Sequence, residues 1–97
     1  MLQENADGTI SNLYRLKIIN TSAVPQLFEL KAEDNTVKLE YAGKPLDTLR
    51  PGQIGEELFF IKRPKQQIME RKEMIRLYLF EKEKKMYSTK IPFIGFQ

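Results

Sequence analysis

Asp7-Gly8-Thr9-Ile10-Ser11-Asn12-Leu13-Tyr14-Arg15-Leu16-Lys17-Ile18-Ile19-Asn20 is the stretch that decides the fold. It opens on a turn signal, because Gly8 accepts the positive φ that side chains disfavour. Residues 13–19 then form a β-branched and apolar run that closes on the turn former Asn20. Within it Tyr14, Leu16 and Ile18 share one face while Arg15 and Lys17 take the other, the period-2 pattern of a half-buried strand. The same parity logic puts Phe28 and Leu30 on the core side of the next strand, opposite Glu29 and Lys31.

The rest of the chain repeats this grammar. Residues 37–41 alternate apolar, charged, apolar, charged, aromatic, and residues 46–49 suggest a further short strand. Arg50-Pro51-Gly52 suits a type II turn, with Pro then Gly at its centre. Residues 54–62 form the next strand, and Arg63-Pro64-Lys65-Gln66-Gln67 reads as a polar break. Residues 68–85 are ambiguous. Glu, Lys, Arg and Met favour a helix over the first part, whereas Ile75, Leu77 and Leu79 at period 2 favour a strand. A chain otherwise made of strands tips the choice to a strand from about Lys72. Glu81-Lys82-Glu83-Lys84-Lys85 makes a charged hairpin turn and residues 86–93 return as the last strand. About seven short strands at this turn spacing predict an all-β antiparallel sandwich.

Residues 1–6 read as an N-terminal tail or expression remnant, and residues 7–97 as one domain. At 97 residues the chain has room for one core. No apolar run is long enough to cross a bilayer as a helix, and no signal-peptide pattern opens the sequence. Cysteine and histidine are both absent, which removes thiolate nucleophiles, iron–sulfur ligation and imidazole bases. Ser-x-x-Lys, a phosphate-binding glycine loop and a calcium loop are absent too. Adjacent Glu56 and Glu57 point to opposite faces of a strand and cannot act on one substrate. Met69, Met74 and Met86 are isolated, so packing explains them better than Cu(I) ligation. The expectations are therefore no catalytic residue, no cofactor-binding residue and no metal site. Asn20-Thr21-Ser22 matches a glycosylation sequon, but a turn closing a strand needs the same residue types.

Charge is uneven. Residues 1–61 carry six Lys/Arg against nine Asp/Glu, and residues 62–97 carry ten against four. Two clusters are candidate surface contacts: Lys62, Arg63, Lys65, Arg71 and Lys72 around Pro64, and Lys82, Lys84 and Lys85 at the hairpin. Cations at turns also blunt sheet-edge aggregation without any partner.

The D-G-x-I-x-N-x-Y-x-L-K-I-x-N block, from Asp7 to Asn20, resembles the start of the C-terminal immunoglobulin-like domain of the FixG/CcoG family of membrane iron–sulfur proteins. The connection from Asn20 to Pro25, the Phe28-x-Leu30 strand and the ending Ser88-Thr89-Lys90-Ile91-Pro92-Phe93-Ile94-Gly95-Phe96 are similar to the family as well. Against the usual Ser-x-x-Phe-x-Gly-Pro ending, Ile91-Pro92 is inserted and Phe96 replaces the final Pro. The resemblance implies an accessory domain following the membrane helices of an oxidoreductase linked to haem–copper oxidase assembly. Its iron–sulfur clusters would lie in the parent region, and the domain would face the periplasm. Protein partners are then expected, either other parts of the parent or oxidase assembly factors, with membrane proximity through the parent's anchor. Two other classes stay open: a free-standing extracytoplasmic adhesion or chaperone-like sandwich that binds a strand at an exposed edge, and a small basic nucleic-acid-binding domain.

Overall fold

Two antiparallel sheets pack face to face in a computed structural model that describes residues 2–96. In chain order the strands are β1 (Leu2–Glu4), β2 (Thr9–Ile19), β3 (Phe28–Ala32), β4 (Lys38–Tyr41), β5 (Ile54–Pro64), β6 (Lys72–Glu81) and β7 (Lys84–Ile94). The first sheet has the order β1-β2-β5-β4 and the second β3-β6-β7. One turn of 3-10 helix, Lys65–Gln67, carries the chain from the first sheet towards the second.

The expected register of β2 holds. Ile18 is buried, Tyr14 and Leu16 are half-buried on the same face, and Arg15 and Lys17 are exposed. Leu30 is buried and Phe28 half-buried, so the five predicted core positions all face inward while only two are fully sealed. The centre of the core is Phe59 and Ile61 from β5, Leu77 from β6 and Phe93 from β7, with Ile10, Val37 and Ile75 around them. The ambiguous segment is strand from Lys72, and Ile75, Leu77 and Leu79 point inward as their period-2 spacing requires. At Arg50-Pro51-Gly52, Gly52 has φ 78° and the Gln53 N–H donates to the Arg50 carbonyl, as the predicted turn demands.

Four boundaries differ from the sequence reading. Leu2–Glu4, read as tail, is a strand on β2, because Leu2 packs against the core and the turn at Asp7-Gly8 folds it back. Residues 46–49 form no strand; Leu49 makes only a bridge to Gln26, with N···O distances of 2.8 and 2.9 Å. Strand β5 runs on through Arg63 and Pro64, so the polar break shrinks. Arg63 is tolerated there because its guanidinium lies over the Phe93 ring and pairs with Glu73, and Pro64 because it ends the strand. The final hairpin narrows to Lys82-Glu83, since Glu81 and Lys84 already pair.

Candidate docking edge and slot

Strand β2 has eleven residues, and among the described residues β1 pairs with three of them, Ile10, Ser11 and Asn12. Hydrogen-bond parity shows what is left open. The Asn20 N–H donates to Gln53 at 3.1 Å, so even-numbered residues of β2 bond towards β5. The Asn5 N–H donates to the Thr9 carbonyl at 2.9 Å, so odd-numbered residues bond towards β1. Arg15, Lys17 and Ile19 therefore aim their N–H and C=O groups at an edge that no described strand covers.

Beneath that edge the two sheets part. At one end they are stitched together: Asn12 Nδ2 donates to the Ile94 carbonyl at 3.0 Å, and Asn12 Oδ1 accepts the Ile94 N–H at 2.8 Å. The Tyr14 hydroxyl donates to the Pro92 carbonyl at 2.7 Å, and its ring stacks on Phe59. Burial pushes the Tyr14 phenol far up, so it stays a donor at any physiological pH. Beyond this stitch a slot of about 460 Å³ opens, walled by Leu16, Ile18, Phe28, Leu30, Leu77 and Leu79, with residues 86–89 of β7 at its mouth. An apolar slot under an unpaired backbone edge can accept an extended chain: the ladder gives affinity and the slot takes alternate side chains.

A family model described as "IG-like fold at C-terminal of FixG, putative oxidoreductase" matches residues 1–95. The chain belongs to that family. Among solved structures, it is similar to a FixG-related protein from Vibrio parahaemolyticus, with a TM-score of 0.67 and 20% identity. That match spans 97% of this chain and 90% of the other, and at this identity it speaks to the fold alone. The search of curated proteins finds no match.

The motif residues that suggested the FixG C-terminal family are architectural. Asp7 Oδ1 accepts from the Thr9 N–H and hydroxyl, Gly8 takes φ 82°, and Ile10 is core. Asn12 and Tyr14 join the sheets, and Asn20 closes the strand. At the other end Phe93 is fully buried, and any side chain at Gly95 would collide with Ile68. The sequon Asn20 is also sealed. Its Nδ2 donates to Val24 and Leu49 carbonyls, its Oδ1 accepts from the Ser22 N–H and hydroxyl, and no face is left for a glycan.

The basic residues singled out in the sequence do not form one surface. Lys62 lies 3.4 Å from Asp7 and 3.9 Å from Glu40; Arg63 pairs with Glu73; Lys65 lies 2.9 Å from Glu4. Arg71 and Lys72 are exposed at the start of β6. Lys82, Lys84 and Lys85 are exposed at the opposite end of that strand, with Lys85 Nζ 3.7 Å from the Tyr78 ring centroid. The open edge itself escaped the sequence reading.

Glu57 is the other feature that sequence did not disclose. It faces inward on β5 beside Leu16, is only 4% exposed, and its Oε1 has no hydrogen-bond partner. Burial raises its pKa above the ordinary value. Glu56 on the opposite face pairs with Arg15 at 3.3 Å, so the two carboxylates are separated by the strand. Among the described residues no group of three or more acidic side chains converges to hold a metal.

Proposed function

We infer that this domain is a non-catalytic interaction and positioning module of a larger FixG-like oxidoreductase. The observation that carries the reading is the apolar slot between the two sheets beside β2, a docking feature, in a chain without cysteine or histidine. Family membership supports an oxidoreductase parent with this domain at its C-terminal end; in the reading proposed here that parent would be a membrane protein with iron–sulfur clusters in its own region and this domain on the periplasmic side. Its partners would be other parts of that parent or factors that assemble haem–copper oxidases. The decisive experiment has two arms. The coding sequence upstream should encode membrane helices and cysteine clusters; a secretion signal alone would transfer the same slot to a free-standing adhesion or chaperone-like role. Deleting the domain from the parent should then leave iron–sulfur absorbance unchanged while active oxidase falls.

A further inference from the structure

The short ladder between β1 and β2 has a fixed direction. Leu2 opposes Asn12 and Glu4 opposes Ile10, so each step back along β1 is matched by one step towards Ile19 on β2. Leu2 packs against the core, which holds the incoming chain down on the sheet. Ahead of it lie the backbone groups of Arg15, Lys17 and Ile19 and, on the inner side, the mouth of the slot. We propose that the residues preceding Leu2 in the parent lengthen β1 along β2 as far as Ile19 and close the slot, which fixes the domain with its β6–β7 hairpin end turned towards the rest of the parent.

The register makes this specific. Continued upstream, it sets the second, fourth and sixth residues before Met1 opposite Arg15, Lys17 and Ile19, in the parity at which the Asn5 N–H already bonds the Thr9 carbonyl. The first, third and fifth stand opposite Tyr14, Leu16 and Ile18 and set their side chains on the slot side. Continuity of the ladder selects this occupant. Charge does not, since Glu56 already pairs with Arg15 at 3.3 Å and stands opposite Lys17. The border of the slot on β7 suits the segment less, because that strand carries Lys84, Lys85 and Lys90, and Pro92 has no N–H to offer. The orientation follows from the same geometry. Asn12 and Tyr14 are stitched to Ile94 and Pro92, whereas Ile18 and Ile19 share the slot with Met86 and Tyr87. The Ile19 end of β2 is therefore the hairpin end of β7. A chain arriving there leaves Lys82, Lys84 and Lys85 nearest to the parent's body and Pro64 farthest, on the order of 30 Å away.

This inference deepens the positioning role proposed above, and it rests on that reading only for the parent that precedes Met1. The test compares the 97-residue chain with the same chain lengthened by the parent's preceding residues. Amide hydrogen exchange, followed by NMR, should slow by about tenfold or more at Arg15, Lys17 and Ile19 in the lengthened chain. Leu16 and Ile18, already bonded towards β5, should stay unchanged. Proline in place of the second and fourth residues before Met1 removes the N–H groups that face Arg15 and Lys17, and should return exchange to that of the shorter chain. Because the 97 residues hold no cysteine, one introduced upstream of the sixth residue before Met1 takes a nitroxide label cleanly. That label should broaden the resonances of Ile19, Met86 and Tyr87 and spare Glu4, Lys65 and Lys72. Unslowed exchange in the lengthened chain would overturn the proposal, as would protection of residues 86–89 on β7 in place of β2. So would broadening centred on Glu4, which a free tether rooted at Leu2 gives. Protection in the shorter chain that rises with concentration would assign the edge to a second copy and overturn it too. Each of these leaves the FixG-like parent standing, because that reading is tested by the upstream membrane helices and cysteine clusters and by oxidase assembly, not by exchange.

Discussion

Asn20 and Glu57 are both polar and almost fully enclosed, and they affect stability in opposite ways. The Asn20 amide makes four hydrogen bonds within 3 Å, to Val24, Leu49 and twice to Ser22, tying the end of β2 to two connections. Asn20→Ala strips partners from buried carbonyls, and chemical denaturation should show a loss of about 2–4 kcal/mol. Asn20→Asp keeps the shape but turns an acceptor and a charge towards the same carbonyls, so it should lose no less. Glu57 lacks a partner for Oε1, and its raised pKa means the folded state holds its proton to higher pH than the unfolded chain does. Its contribution is therefore most favourable below the ordinary value of 4.5 and declines as pH rises through the folded pKa. Glu57→Gln should match wild type at pH 4 and exceed it at pH 7 by on the order of 1 kcal/mol, read from urea unfolding at each pH. A constant difference across that range would show that the carboxylate charge is not what costs stability.

Strands were legible wherever one face is apolar and the other charged. β2, β3 and β6 all keep the register that alternation dictates, and β6 did so although its composition also suits a helix; hydrogen-bonded neighbours on both sides override that weak propensity. Illegible were the features that depend on a distant partner. β1 is three residues long and is a strand only because β2 offers an edge. The stretch around Leu49 contacts Gln26 by one bridge because residues 42–53 instead fold over β5, where Leu46 and Leu49 crowd Gly55. For the same reason the open edge could not be read, since an unpaired backbone is a property of what lies beside it. The β6–β7 hairpin keeps a local cost that sequence partly disclosed: Lys82 occupies φ 58° in its two-residue turn, a region glycine enters freely. Lys82→Gly should raise stability by roughly 0.5–1 kcal/mol, seen as a higher thermal midpoint. A lower midpoint would mean that the lysine side chain makes a compensating contact at the tip.

Across the whole molecule, charge is distributed along the long axis rather than between two faces. Near Pro64 three of the five cations are matched internally: Asp7 and Glu40 flank Lys62, Glu73 holds Arg63 and Glu4 meets Lys65, while Arg71 and Lys72 are exposed with no carboxylate within salt-bridge distance among the described residues. At the far end of β6, Lys82 and Lys84 stand on an exposed tip, and among the described residues no carboxylate lies within salt-bridge distance of them or of Lys85. Those ends are the full length of a ten-residue strand apart, on the order of 30 Å, several Debye lengths in ordinary salt. An anionic surface, such as the lipid beside a membrane-anchored parent, would therefore meet one end at a time, and the hairpin offers three unpaired lysines against Arg71 and Lys72 at the other end. Each exposed lysine near such a surface contributes about 1 kcal/mol at most, so three give weak, salt-sensitive binding. Co-sedimentation with phosphatidylglycerol-containing vesicles at low salt should fall when Lys82, Lys84 and Lys85 are all changed to Gln, and should hold when Lys62 and Lys65 are changed instead. Binding by the wild type and by the Lys62/Lys65 variant should fade at 0.15 M salt, where screening shortens the reach to about 8 Å. Equal sedimentation of wild type and the hairpin variant at low salt would assign those lysines to keeping the exposed β7 edge soluble, the role that charged side chains commonly serve on edge strands.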